Sequence, residues 1–208
     1  DYILTLNLDD MDLYKLILVG NRNFEIDTRE ILRVVARENI LKVKDCTKIN
    51  YDLEELAKQI DEDYKDSNEV IAICILKGAA FFAVDLVKKM KTPIIFEVMQ
   101  VSSYAGTETT GTISIKKDLD CDIEGKDVLI IEDIIDTGYT LRALREDLLS
   151  RKPNRLKIAV LADKKERRKV EIPIDYVGFE IPNKFVVGYG FDVDERGRNI
   201  PYVGYLDV

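Results

Sequence analysis

Short apolar runs alternate with segments of helical spacing along most of this chain, and this alternation is what most limits its fold. Val70–Leu76 (VIAICIL) is almost wholly apolar, as expected for a strand that is buried on both faces. Ala79–Met90 follows it with apolar residues at helical spacing. Strand, helix and strand at such intervals predict an α/β fold, in which helices flank a central, mostly parallel sheet.

The same two patterns place the other predicted elements. Helical spacing recurs over residues 52–64 and again from Leu141 to Leu149. Residues 1–45 are polar and irregular and predict an N-terminal arm, and a chain of 208 residues fits one domain over 1–208. The further predicted strands are Ile94–Val101, Val128–Ile131, Leu156–Ala162 and Tyr176–Phe179.

Ser102–Thr112 (SSYAGTETTGT) separates two ordered regions and is rich in serine, threonine and glycine. A stretch of this length with so few apolar residues predicts a surface loop. Composition alone leaves two interpretations open, since such a loop is either a lid over a site or an exposed hairpin tip.

The chain contains no histidine. This absence excludes Ser-His-Asp and Cys-His nucleophile pairs and every histidine-ligated metal site. Acid–base chemistry must therefore come from carboxylates, lysines, tyrosines or the substrate. The net charge of −8 argues against a general nucleic-acid or anionic-membrane binder, because both need a positive surface.

Three cysteines, Cys46, Cys74 and Cys121, lie far apart without a CxxC pair. This spacing argues against a disulfide framework or a structural zinc site and favours a reducing compartment. No apolar run approaches the roughly 18–20 residues that cross a bilayer, and the start lacks the basic flank of a signal peptide. We therefore expect a cytoplasmic protein.

Val128–Leu141 (VLIIEDIIDTGYTL) carries the strongest functional pattern. An apolar strand leads into paired acids, then a loop containing threonine and glycine, then a helix. In a parallel sheet this loop lies at the carboxyl ends of the strands, where α/β proteins bind ligands. Hydroxyl groups, a glycine backbone and a helix N-terminus together predict a phosphate site.

Glu132 and Asp133 would repel a phosphate unless they bind sugar hydroxyls or a magnesium ion. Hydroxyls, phosphate and metal together indicate a phosphorylated ribose. The alternative is that the acids are solvated strand-end residues and that Thr140 is only a helix N-cap. The complete strand, acid, loop and helix pattern favours the ribose site.

This segment resembles the phosphoribosyl pyrophosphate (PRPP) motif of the type I phosphoribosyltransferases, and Val177–Asp192 (VGFEIPNKFVVGYGFD) resembles their hypoxanthine-guanine branch. The resemblance implies the type I fold with a small hood lobe, mostly within 163–208, and a flexible lid loop at 102–115. It also implies purine salvage. The 5-phosphoribosyl group of PRPP would pass to hypoxanthine or guanine through an oxocarbenium-like transition state, giving IMP or GMP and pyrophosphate, with Mg²⁺ as cofactor. Homodimers or homotetramers are expected.

The resemblance also assigns roles around the ribose and its phosphate. Asp136 would be the catalytic carboxylate beside the purine ring and part of the ribose-phosphate site. Tyr139 stands where some members have a lysine. The 5′-phosphate would be held by Thr137, Gly138, Tyr139 and Thr140, and the ribose by Glu132 and Asp133. Mg²⁺ would be held by Glu132 and Asp133, and Asp192 would reach a second Mg²⁺ through water or ligand.

Pyrophosphate would be bound by Lys77, Gly78 and Arg198, and the resemblance implies a cis peptide bond before Lys77. Taken alone, Lys77-Gly78 also fits an ordinary turn, and Arg198 a plain surface arginine. Ser103 and Tyr104 match the lid.

The purine would stack on Phe185, contact the backbone of Val186, lie near Asp192 and accept a hydrogen bond from Lys164 at its 6-oxo group. Phe185 also fits an ordinary core aromatic, and the run KKERRK (164–169) also fits a solvated face. That run is the one feature favouring a different function, an RNA-binding regulator. Xanthine as the substrate stays open.

Overall fold

The computed structural model describes residues 40–44, 46–103 and 113–206. The predicted arm up to residue 39, Tyr104 and the centre of the predicted lid lie outside these residues. The strands are β1 (Ile40–Lys44), β2 (Val70–Leu76), β3 (Ile94–Ser103), β4 (Ile113–Lys117), β5 (Asp127–Ile135), β6 (Arg155–Asp163), β7 (Tyr176–Glu180), β8 (Phe185–Val187) and β9 (Val203–Leu206). The helices are α1 (Cys46–Asp63), α2 (Ala80–Val87) and α3 (Tyr139–Ser150), with a 3₁₀ turn at Lys165–Arg167.

The larger sheet has six strands in the order β4-β3-β2-β5-β6-β7. All neighbouring pairs are parallel except β3 with β4, which is antiparallel. The prediction of an α/β fold with a mostly parallel sheet is therefore confirmed. The β3–β4 pairing brings Ser103 opposite Ile113, so the predicted lid joins two paired strands.

Strand β2 shows why its sequence is almost wholly apolar. Val70, Ala72 and Cys74 are buried in the core that contains residues of α1 and α2. The intervening Ile71 and Ile73 are buried in a second core, against α3 on the opposite face. Successive side chains of a strand point to opposite faces, so a strand covered by helices on both sides has no solvent-facing positions.

A second, three-stranded sheet has the order β1-β9-β8 and is antiparallel. Residues 40–44 of the predicted arm therefore form a strand of this small sheet. The remaining strands come from the C-terminal segment that was predicted to form the hood.

The predicted end of strand β5 is wrong. Strand β5 does not stop at Ile131 but continues to Ile135, because β6 goes on pairing with it as far as Ile135 opposite Asp163. The acids Glu132 and Asp133 thus lie within the strand. Strand β4 was not predicted, because its sequence ISIKK has only two apolar residues.

Cys74 and Cys121 are free thiols. Within the described residues, no helix combines the length and the apolarity that crossing a membrane requires.

Candidate active site

The site begins where β2 and β5 separate. Their pairing ends at Cys74 opposite Ile131, so the end of β5 has a neighbouring strand only on the β6 side. Lys77 and Gly78 follow β2 directly, and the Leu76–Lys77 peptide bond is cis, as the resemblance implies. A side chain at Gly78 would overlap the carboxylate of Asp133. The turn after β2 therefore packs its backbone against the acids of β5.

Glu132 and Asp133 form a half-buried acidic pair. The Asp133 N–H donates to Glu132 Oε1 at 3.2 Å, and the Ile134 N–H donates to Asp133 Oδ1 at 2.8 Å. Burial raises the pKa of both carboxyls, and for Glu132 the charge of Asp133 raises it further. Arg198 acts in the opposite direction on the pKa of Asp133. Hydrogen bonds from ribose hydroxyls, or a bound cation, would stabilise the charged forms of these two carboxyls.

Gly138 forms the turn between this strand and α3. Its φ is +86°, a conformation that glycine adopts without strain. Helix α3 begins at Tyr139, and no side chain caps its N-terminus. The interpretation of Thr140 as an N-cap is therefore wrong, because Thr140 lies inside the first turn. The first N–H groups of such a helix attract an anion.

Asp136 and Lys164 lie together across the ends of β5 and β6. Lys164 Nζ is 4.0 Å from Asp136 Oδ2, while Arg167 Nε donates to Asp136 Oδ1 at 2.8 Å. Lys164 is buried, and burial lowers its pKa although the charge of Asp136 partly offsets this. Two of the residues predicted to lie at the purine thus face each other.

Arg198 joins the C-terminal segment to the same site. Its guanidinium donates to the Gly190 carbonyl at 2.7 Å and pairs with Asp192 at 2.8 Å. A side chain at Gly190 would overlap the carbonyl of Gly78, so this segment packs against the turn after β2. Arg198 Nε is buried without an acceptor among the described residues. The interpretation of Arg198 as a plain surface arginine is therefore wrong.

Glu195 lies between the two cations predicted to bind pyrophosphate. Its Oε2 is 2.9 Å from Lys77 Nζ and 3.2 Å from Arg198 Nη2. Lys77 and Glu195 are both largely exposed. A carboxylate oxygen of the chain thus occupies a position between two cations where a phosphate oxygen would also be attracted.

Phe185 is 47% exposed, so its interpretation as a core aromatic is wrong. Val186 beside it is buried. Strand β8 is an edge of the three-stranded sheet in the described part of the chain, which leaves one side of its backbone without a paired strand. An exposed aromatic on such a strand offers both a stacking face and backbone hydrogen-bonding groups.

No three Cys, Asp or Glu residues among those described lie close enough together to form a metal site by themselves. Glu132, Asp133 and Asp192 are therefore not a complete cage. Mg²⁺ typically binds through one or two carboxylates and completes its coordination with waters and substrate phosphates, so this arrangement is compatible with that ion.

The family described as "Phosphoribosyl transferase domain" matches residues 40–194. The chain belongs to the phosphoribosyltransferase family. Among curated relatives of this phosphoribosyltransferase, the hypoxanthine-guanine phosphoribosyltransferase of Aquifex aeolicus is 51% identical over 152 residues, which cover 73% of this chain and 85% of the relative. The Dictyostelium discoideum enzyme of the same name is 48% identical over 176 residues, covering 83% and 96%.

Solved structures of phosphoribosyltransferases have the same fold as this chain. A hypoxanthine phosphoribosyltransferase from Staphylococcus aureus superposes with a TM-score of 0.79 at 46% identity, covering 83% of this chain and 94% of that one. The Trypanosoma cruzi hypoxanthine phosphoribosyltransferase, solved with its product IMP, gives a TM-score of 0.77 at 37% identity and covers 81% and 95%. The predicted type I phosphoribosyltransferase fold is confirmed.

Sequence reasoning missed three parts of the phosphoribosyltransferase site. Arg167 and Arg168 were assigned to a solvated face, but they pair with Asp136 and with the buried Asp163. Glu195 was not noted, although it falls in the segment that supplies Arg198. The sequence signal that could have indicated Arg167 and Arg168 was the basic run 164–169. Acidic residues of the chain partly neutralise its charges. This pairing weakens the case for an RNA-binding surface.

Proposed function

We propose that this phosphoribosyltransferase transfers the 5-phosphoribosyl group of PRPP to hypoxanthine or guanine, giving IMP or GMP and pyrophosphate. The observation that most directly supports this function is the separation of 4.0 Å between Asp136 Oδ2 and Lys164 Nζ. In an oxopurine, N7 and O6 are adjacent on one edge of the base. A proton on N7 would be donated to Asp136 while O6 accepts from Lys164. Adenine presents an amino donor at position 6, and this group cannot accept a hydrogen bond from Lys164.

Asp136 acts as the acceptor of the N7 proton. As that proton moves to the carboxylate, the N9 lone pair forms the bond to C1 of the ribose. The bond from C1 to the pyrophosphate oxygen breaks, and its electron pair leaves with pyrophosphate. Since the chain has no histidine, a carboxylate within hydrogen-bond reach is the natural proton acceptor.

The ribose and its 5′-phosphate occupy the ends of β5 and α3. Glu132 and Asp133 accept hydrogen bonds from the ribose hydroxyls, and the start of α3 binds the phosphate. The uncapped N-terminus and the positive φ of Gly138 support this assignment. The phosphate-binding residues are Thr137, Gly138, Tyr139 and Thr140.

Pyrophosphate binds on the other side of the acidic pair, between the turn after β2 and the C-terminal segment. Lys77 and Arg198 supply the positive charge, and the Gly78 backbone allows close approach. The buried, unsatisfied Nε of Arg198 supports this assignment, because a buried donor without an acceptor is costly unless a ligand supplies one.

Mg²⁺ would be held by Glu132 and Asp133 with oxygens of the substrate, and Asp192 would reach a second Mg²⁺ through water or ligand. When bound, it neutralises charge on the departing pyrophosphate. The carboxylates are hard oxygen donors, as this ion prefers, and burial, which raises the pKa of both carboxyls at β5, makes an added positive charge favourable beside them.

Phe185 stacks on the purine, the backbone of Val186 contacts the edge of the base, and Asp192 lies at the same pocket. The high exposure of Phe185 supports this role. Residues 102–115, including Ser103 and Tyr104, would act as a lid that keeps water from the activated sugar. The chain would be one cytoplasmic domain with residues 163–208 forming most of the hood.

Self-association into a homodimer or homotetramer is also proposed. Phe81 and Val84 on α2 are each more than 40% exposed, and Phe96 on β3 is 40% exposed. A second copy bound over this part of the molecule would bury these side chains.

The test is a panel of hypoxanthine, guanine, xanthine and adenine with PRPP and Mg²⁺, following nucleotide formation by chromatography. We expect IMP and GMP, no AMP, and loss of all product when EDTA removes the metal. Formation of AMP alone, or of no nucleotide from hypoxanthine or guanine, would contradict the proposed function.

A further inference from the structure

The 3₁₀ turn at Lys165–Arg167 is tied by backbone hydrogen bonds to both sides of Asp136. The Lys164 N–H donates to the Ile135 carbonyl, and the Lys169 N–H donates to the Thr137 carbonyl, each at 3.0 Å. These two acceptors are the residues immediately before and after Asp136. The position of the turn relative to Asp136 is thus fixed by the backbone and does not depend on side-chain conformation.

A buried ion pair anchors the same turn from the interior. Asp163 is fully buried, and Arg168 binds both of its oxygens, from Nε at 3.1 Å and from Nη2 at 2.7 Å. Such a bidentate pair fixes orientation as well as distance. Lys165 pairs instead with Glu180. Within the 3₁₀ turn, Arg167 is the residue that contacts Asp136.

The contact from Arg167 determines which carboxylate oxygen is available. Arg167 Nε holds Oδ1 at 2.8 Å, and Oδ2 is then the oxygen that faces Lys164. The terminal torsion of an aspartate has a broad, two-fold profile, so without a fixed donor the carboxylate would rotate. Rotation would misalign the oxygen that receives the purine proton.

We infer that Arg167 is a positioning residue, which acts through Asp136 by fixing the oxygen that faces the purine. This inference rests on the proposed function, since it requires Asp136 to be the proton acceptor. Arg167 itself needs no contact with the base. Its loss should therefore lower kcat and leave the KM for PRPP unchanged.

The experiment measures kcat and both KM values for IMP formation in Arg167→Ala and Arg167→Lys. We expect about a tenfold fall in kcat for the alanine variant, which corresponds to misalignment of one hydrogen bond. The lysine variant should recover part of this loss, because it keeps a cationic donor. Lys165→Ala is the matched control on the same turn and should keep wild-type kcat.

A double-mutant cycle distinguishes action through Asp136 from a separate role. Asp136→Asn alone should lower kcat by roughly 10²–10⁴-fold, the range for general acid–base catalysis. If Arg167 acts through Asp136, Arg167→Ala should cause no further loss in the Asp136→Asn background. If the two losses in kcat multiply in the double variant, the inference is overturned. Wild-type kcat in Arg167→Ala, or an equal loss of kcat in Lys165→Ala, would overturn it as well.

Failure of the proposed function has a different signature. It would appear in the wild-type protein as absence of IMP and GMP formation, or in Asp136→Asn as unchanged turnover, before any Arg167 variant is assayed. Either result would also overturn the role of Arg167. Should Arg167→Ala fail to fold, the Arg167→Lys variant and its cycle with Asp136→Asn decide the question by the same criteria.

Discussion

The purine side and the pyrophosphate side of the site are held in different ways. On the purine side, backbone hydrogen bonds flank Asp136, and the fully buried Asp163 anchors the adjoining turn. On the pyrophosphate side, Lys77 and Arg198 are joined through the exposed carboxylate of Glu195. The fold fixes the backbone around Asp136 on the purine side, while on the pyrophosphate side the two cations are linked by an exposed carboxylate.

This difference matches what each side must do. Proton transfer needs a carboxylate held within hydrogen-bond distance of its partner, and the backbone and buried contacts fix the turn that carries Arg167, the residue bound to that carboxylate, before the substrate arrives. Pyrophosphate is a highly charged group that must bind and then leave. Exposed ion pairs contribute little stability, so exchanging Glu195 for a phosphate oxygen and back has a small cost. Three substitutions test this contrast.

The largest expected effect is on stability, from breaking the buried pair beneath the purine side. Arg168→Met leaves the buried Asp163 without its partner, and breaking such a pair costs about 3–5 kcal/mol. The free energy of unfolding, measured by urea titration, should fall by that amount. Lys165→Met, which breaks an exposed pair with Glu180, should change it by less than about 1 kcal/mol. Equal losses in the two variants would show that burial does not distinguish these pairs.

The next effect is on base binding. Lys164→Ala removes a charged hydrogen bond to the 6-oxo group, worth about 1.5–3 kcal/mol. Steady-state kinetics should show kcat/KM for hypoxanthine reduced by roughly tenfold to a hundredfold, with the KM for PRPP unchanged. Lys169→Ala, an exposed residue of the same basic run, serves as the control. A change in the KM for PRPP instead would place Lys164 on the other side of the site.

The smallest effect is on the pyrophosphate side. Glu195→Gln removes the charge that neutralises Lys77 and Arg198, so the KM for PRPP should fall by about two- to fivefold, within the range of an exposed ion pair. Asp194→Asn, at the neighbouring position, is the matched control. An increase in the KM for PRPP would mean that Glu195 assists substrate binding and does not compete with it.

The sequence predicted the parts of this site that are contiguous. Strand, acids, loop and helix follow one another within Val128–Leu141, so their apolar spacing and glycine placed them together. Arg167 and Asp136 are 31 positions apart, and Lys77 and Glu195 are 118 apart. Such pairs depend on how loops meet at the ends of strands, and no local sequence pattern predicts that arrangement.

The small sheet was missed for a related reason. Strand β1 pairs with β9 from the far end of the chain, and both strands are short. Because Ile40–Lys44 packs through this distant pairing, its own sequence resembled an irregular arm. The α/β fold was predictable because the apolar runs of β2 and β5 each require cover on both faces, and the type I fold followed from the resemblance of Val128–Leu141 to the family motif.

The most direct test of the proposed contacts at the purine edge is a crystal structure with hypoxanthine bound, because N7 of the free base can carry the proton that Asp136 accepts. We predict purine N7 within about 3.2 Å of an Asp136 carboxylate oxygen and O6 within about the same distance of Lys164 Nζ, with Arg167 still bound to the other oxygen of Asp136. A purine whose N7–O6 edge faces away from both residues would contradict the account.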